Sequence, residues 1–310
     1  MADIKKMATR DGYGKALVEL GKDHEDIVVL DADLAGSTKT GMFGKAYPDR
    51  HFNCGIAEAD MMCVAAGLAA SGMTPFASSF AMFASGRAYE QIRNSIGYPQ
   101  LNVKVCASHG GISVGEDGAS HQCCEDFALM RSIPGMTVIC PADDVEAKAA
   151  VKAAYEMNGP VYLRFGRLAV PVFHSEDYKF EIGKGEVLRD GTDVAIIANG
   201  LLTYEAIVAG EQLAEAGINA MVINMATIKP LDEALVVEAA RKCGKVITCE
   251  EHSVIGGLGE AVCSCLSENY PVPVKRIGVN DEFGHSGPAV QVLEQFGLCA
   301  SNIVKVAKEF

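Results

Sequence analysis

The stretch SHGGISVGEDGASHQCCED, residues 108–126, packs His109, His121 and the acid pair Glu116–Asp117 between repeated glycines. A glycine-rich loop that follows an apolar strand lies at the carboxyl edge of a parallel sheet, where α/β proteins gather their ligand sites. Two imidazoles there suit polar-substrate binding or proton transfer, unless they merely cap turns of a surface loop. Glu58 raises a similar choice. In HFNCGIAEADMM (51–62) it sits between a short apolar strand and the apolar run VAAGLAASG at 64–72. Such an acid either faces solvent at a turn or is held inside for a reason.

Other clusters leave two readings open. DADLAGST (31–38) sets Asp31 and Asp33 before a turn whose Gly36, Ser37 and Thr38 offer donors to an anion, or form an ordinary helix N-cap. Arg10 and Arg167 stand beside turns, ready either for a bidentate phosphate grip or for surface ion pairs. Phe80 and Phe83 lie three apart and serve either the core or a stacked ligand. Metal binding at Cys123–Cys124 or Cys263/Cys265 is disfavoured, because no histidine stands at matching spacing. IGGLGEA (255–261) imitates a nucleotide-binding glycine loop but lacks the GxGxxG order, and the preceding Glu250–Glu251 would repel a pyrophosphate.

The elements around these residues follow a βαβ rhythm. Apolar runs at 26–33, 101–108, 136–142 and 159–166 are continuous rather than alternating, the mark of strands covered on both faces. A polar, proline-containing stretch then breaks the pattern, and strands at 192–200, 219–225, 245–251 and 272–279 resume it with helices between. The expected architecture is two three-layer α/β domains with mainly parallel sheets: residues 1–170, a linker at 171–188, and residues 189–310.

Composition narrows the function. A net charge of −13 argues against nucleic acid and anionic membrane as partners. No run reaches the ~18–20 charge-free apolar residues of a membrane span, and the N-terminus has no apolar leader core. Eleven cysteines without a CxxC pair, many inside apolar runs, read as reduced thiols of a cytoplasmic protein.

DADLAGS, HFNCGIAEADM, FASSFAMF, ISVGEDGASHQ, ICPADDVE, GPVYLRFGR and the ending GHSGPAVQVLEQFGL occur in one order. Together they resemble the C-terminal half of transketolase, a pyrimidine-binding domain followed by the transketolase C-terminal domain. The resemblance implies thiamine diphosphate as cofactor and Glu58 as the carboxylate that meets N1′ of its aminopyrimidine. A carboxyl sharing its proton with N1′ favours the imino form of the 4′-amino group, the base for the thiazolium carbon. Phe80 and Phe83 then match the rings packed on the pyrimidine, Ile56 joins the cofactor contacts, and Asp33 matches the acid near the thiazolium and substrate. Arg10, Ser37, His109 and Arg167 match the donors to the terminal phosphate of a sugar. Asp117 and His121 match the pair that reads substrate hydroxyls, with His121 on the catalytic side. Where the family has a further aromatic, this chain has Gly86, so Tyr89 is the candidate substitute.

No metal site is expected in this chain. The family's GDG…Asn motif, which holds the diphosphate through Mg²⁺ or Ca²⁺, is absent, and the EDG at 116–118 is followed by no Asn before Asn158. The resemblance therefore implies a separate N-terminal transketolase subunit that carries the motif and ligates the metal, an α₂β₂ assembly, and sugar phosphate substrates. Rival readings are the E1 β subunit of a 2-oxo acid dehydrogenase, a deoxyxylulose-phosphate synthase-like half, and a catalytically silent scaffold or regulatory paralogue.

Overall fold

The computed structural model describes residues 5–310. Its first sheet runs, from edge to edge, Thr227–Lys229, Thr137–Ile139, Val161–Phe165, Lys104–Ser108, Thr74–Phe80, Ile27–Asp31 and His51–Asn53. All neighbours are parallel except the Thr227–Lys229 edge. Helices cover both faces, which explains why Ile27–Asp31 is buried along its whole length. Ile27 and Val29 face one core with residues of the helices Thr9–Asp23 and Asp144–Glu156. Val28 and Leu30 face the other, with Met61, Met62 and Ala65 of the helix Glu58–Ala70.

The second sheet has the order Val274–Val279, Val246–Ser253, Val194–Ala198, Ala220–Asn224 and Glu186–Arg189, with only the last strand antiparallel. Alternate residues again split between two faces. Ile196 and Val222 pack with Leu202–Glu215 and Ala300–Lys308, while Ile197 and Ile223 pack with Glu233–Cys243 and Leu258–Asn269. The molecule is thus two domains of sheets flanked by helices, the expected fold class. No helix among the described residues is long and apolar enough to cross a membrane.

The stretch after 166 is more structured than its polar composition indicates. Val170–Pro171 pairs with Lys6–Met7, and Glu186–Arg189 closes an edge of the second sheet. Between them, the buried side chain of His174 holds Asp143 of the first domain and Glu186, each at 3.0 Å; burial opposes its charge, but the hydrogen-bonded carboxylates outweigh this and raise it to about 10.

The 111–122 loop is clamped from the second domain. Ser113 N–H donates to Glu251 Oε1 at 2.6 Å, and Gln122 Nε2 donates to the His285 carbonyl at 3.0 Å. Gly111 has φ +81°, and a Cβ there would lie 2.2 Å from Glu251 Cδ, so only glycine fits. Beneath the loop, Arg164 lies 3.2 Å from Asp126 and donates to the carbonyls of Cys123 and Glu251. The substrate-loop candidate is therefore seated at the junction of the two domains.

Candidate active site

Every residue that the resemblance assigns to cofactor or substrate lies at one edge of the first sheet, beyond the carboxyl ends of its strands. Asp33 and Ser37 follow Ile27–Asp31, Ile56 and Glu58 follow His51–Asn53, and Phe80 and Phe83 end and follow Thr74–Phe80. His109, Asp117 and His121 follow Lys104–Ser108, Arg167 follows Val161–Phe165, and Arg10 opens the helix Thr9–Asp23. This is the edge at which α/β sheets bind ligands.

Glu58 opens its helix and is only 1% exposed. Its Oε2 accepts from Arg87 Nη1 at 2.7 Å, and Ser79 Oγ approaches Oε1 at 3.4 Å. Arg87 was not legible as a site residue. It follows Phe83 through a wide π-turn, in which Ala88 N–H bonds the Phe83 carbonyl, and its guanidinium lies 4.7 Å from the Phe83 ring centre. Tyr89 does not take the place left at Gly86. It packs against the first domain's core, and its hydroxyl lies 3.1 Å from Ser132 Oγ.

Phe80, Phe83 and two histidines form one aromatic wall. The Phe80 ring stacks on His109 at 3.8 Å and lies 6.2 Å from Phe83, while His121 meets Phe83 edge-on at 5.3 Å. His109 is 3% exposed with φ +59°, a costly backbone for a non-glycine. Burial first, then Arg10, Arg167 and His121, push its pKa down to about 3. It is therefore neutral, an uncharged hydrogen-bonding group among cations.

The phosphate-grip candidates converge in part. Arg10 Nη1 donates to the Ser37 carbonyl at 2.8 Å and lies 3.4 Å from His109 Nε2, while its Nε is buried without a partner. Arg167 binds Glu116 at 2.9 Å and the Val114 carbonyl. The two readings of DADLAGST separate here. The N–H groups of Ser37 and Thr38 both bond the Leu34 carbonyl, inside a single helical turn, so they are not free for an anion. Asp33 adopts φ +62°, steadied by reciprocal bonds to the Asn53 amide at 3.1 and 2.9 Å. Asn53 is a second missed contributor, since an Asn at a strand end reads as turn chemistry. Asp117 and Ile56 are exposed, Ile56 at 77%.

Two family models match the chain: the transketolase pyrimidine-binding domain over residues 5–172 and the transketolase C-terminal domain over residues 183–303. The chain belongs to the transketolase family. It is 52% identical over 299 residues to a transketolase C-terminal section of Methanocaldococcus jannaschii, spanning 96% of this chain and 94% of that protein. It is 45% identical to the 6-deoxy-6-sulfo-D-fructose transketolase subunit SqwH of a Clostridium species, over 97% and 93% of the two chains. A solved structure described as a split-gene transketolase, an inactive β4 tetramer, superposes with a TM-score of 0.92 at 55% identity, over 98% of each chain.

Transketolase membership implies thiamine diphosphate, and the donor set can be tested against it. A buried carboxylate beside two phenylalanine rings fits an aminopyrimidine, which needs one acceptor or shared proton and two apolar faces. The diphosphate end finds less. Among the described residues no group of three or more His, Cys, Asp or Glu side chains is arranged for a metal ion. Cys123 is pushed up to about 12 by burial, the wrong direction for a thiolate ligand. The glycine loop at 255–261 is closed by the protein itself, because Glu250 accepts the N–H groups of Leu258 and Gly259 at 2.7 and 2.8 Å.

Proposed function

We propose that this chain is the C-terminal subunit of a two-subunit transketolase. It transfers a two-carbon glycolaldehyde unit from a ketose phosphate to an aldose phosphate, with thiamine diphosphate held between it and a separate N-terminal subunit. One observation carries the reading. A buried carboxylate and an aromatic wall suited to an aminopyrimidine stand at one sheet edge, and among the described residues no group of three or more His, Cys, Asp or Glu side chains is arranged for a metal ion. The coverage of 94% of a relative called a C-terminal section supports the division into two chains.

Thiamine diphosphate, when bound, supplies the acidic thiazolium carbon that adds to the ketose carbonyl. In this reading Glu58 bonds N1′ of the pyrimidine and Phe80 and Phe83 flank its ring. Ile56 stands at the cofactor's rim, and Asp33 lies toward the substrate. His121 hydrogen-bonds and moves a proton at the transferred unit, and Asp117 reads the neighbouring hydroxyl. Arg10, His109 and Arg167, with Ser37 bracing Arg10, hold the anionic end of the sugar. The N-terminal subunit ligates Mg²⁺ or Ca²⁺, and the assembly is α₂β₂ and cytoplasmic.

The test is reconstitution. The chain is mixed with N-terminal subunits carrying the GDG…Asn motif, thiamine diphosphate and Mg²⁺ or Ca²⁺, and transfer from xylulose 5-phosphate to an aldose phosphate is measured. The expected result is activity only in the mixture. Turnover of pyruvate without ketose transfer would instead favour the E1 β or deoxyxylulose-phosphate synthase readings, and silence with every partner the scaffold. The SqwH relative favours a second substrate, a sugar ending in sulfonate, which the same two arginines would hold.

A further inference from the structure

Arg87 makes two contacts at once. Its guanidinium donates to the buried carboxylate of Glu58 at 2.7 Å and lies 4.7 Å from the centre of the Phe83 ring. A flat, nitrogen-rich group that bonds an acid along its edge and offers its face to a phenylalanine does what an aminopyrimidine would do at the same pair of side chains. The Arg87 side chain is 51% exposed, against 1% for Glu58, so one partner of the pair is free to leave and the other is fixed.

Resting on the proposed function, we propose that Arg87 is a built-in surrogate for the aminopyrimidine. In the unloaded chain it neutralises Glu58 and covers Phe83. Loading requires the pyrimidine to displace it, and it turns outward into water. A carboxylate sealed at 1% exposure would otherwise stand without a cation, and an unpaired buried charge is destabilising. Arg87 therefore keeps the activating acid folded in place, at the expense of cofactor affinity. It is a positioning residue that acts through Glu58.

The experiment is calorimetric titration of thiamine diphosphate into the reconstituted two-subunit complex with Mg²⁺, using wild type, Arg87→Met and Arg87→Lys, each also in a Glu58→Gln background. Arg87→Met removes the competitor and is expected to tighten binding about tenfold, the factor that corresponds to about 1.4 kcal/mol. Arg87→Lys keeps the charge but loses the flat stacking face, and should fall between the two. With Glu58→Gln the gain should vanish, because there is no carboxylate left to contest. Unchanged or weaker binding by Arg87→Met overturns the inference alone, since wild type still binds. An equal gain in the Glu58→Gln background also overturns it, as the effect would then be long-range charge. Absence of binding by every variant overturns it together with the proposed function.

Discussion

The two sheets of this molecule each present a carboxyl edge with a buried glutamate, and the edges treat it differently. On the second sheet, Glu250 accepts two backbone N–H groups at the start of the helix Leu258–Asn269, and neighbouring Glu251 accepts Ser113 N–H. His252 closes the row by accepting Phe127 N–H at 3.2 Å. These partners are main chain, and fixed. On the first sheet, Glu58 meets side chains only, Arg87 and Ser79, and one of them is half in solvent. Arg10 keeps a buried nitrogen without a partner, and Asp33 and His109 hold left-handed backbone. A buried acid bonded to backbone amides closes an edge. One bonded to a movable side chain leaves it open to a ligand.

The largest test of this contrast exchanges each acid for its amide. Glu58→Gln should lower turnover on the order of 10³-fold, the scale of a lost proton-transfer group. The assembly should stay intact by sedimentation, whereas Glu250→Gln should leave turnover within about twofold. Equal losses in both would erase the distinction.

Next comes stability. Burial raises Glu250 to about 7 despite its two backbone hydrogen bonds. The folded chain thus keeps a proton that the unfolded chain releases between about pH 4.5 and 7, so stability should fall as pH rises across that window. The total loss from this group across the window is on the order of 3 kcal/mol. Denaturant titrations should show the slope in wild type and a flatter one in Glu250→Gln.

The smallest effect concerns the open edge's anion grip. Arg167→Ala should raise KM for phosphorylated sugars roughly 10- to 100-fold with little change in kcat. Unphosphorylated sugars should be almost unaffected, and an equal loss on them would remove Arg167 from the grip.

The strands were legible because both faces of each sheet are covered, which writes Ile27–Leu30 and Val194–Ala198 as unbroken apolar runs. The sheet edge that gathers the candidates was legible too, since glycine-rich segments follow those runs. What escaped depends on pairing across long separations. Arg87 reads as a surface cation until the π-turn carries it over Phe83 and against an acid 29 residues earlier. Ser37 and Thr38 are the local exception: DADLAGST fits a free donor turn and a short helix equally well, and only the structure shows both N–H groups bonded to the Leu34 carbonyl. Thr227–Lys229 is too short and too polar to announce itself as a strand, and its partner Thr137–Ile139 lies far back in the chain.

That short strand limits how the protein could be rearranged. The polar stretch after residue 166 looks like a seam, yet severing the chain there would strip the pyrimidine-side sheet of its outermost member and lay Thr137–Ile139 bare as a sticky border. The two lobes are stitched to each other rather than strung in tandem. Any graft, swap or engineered half would have to inherit both together.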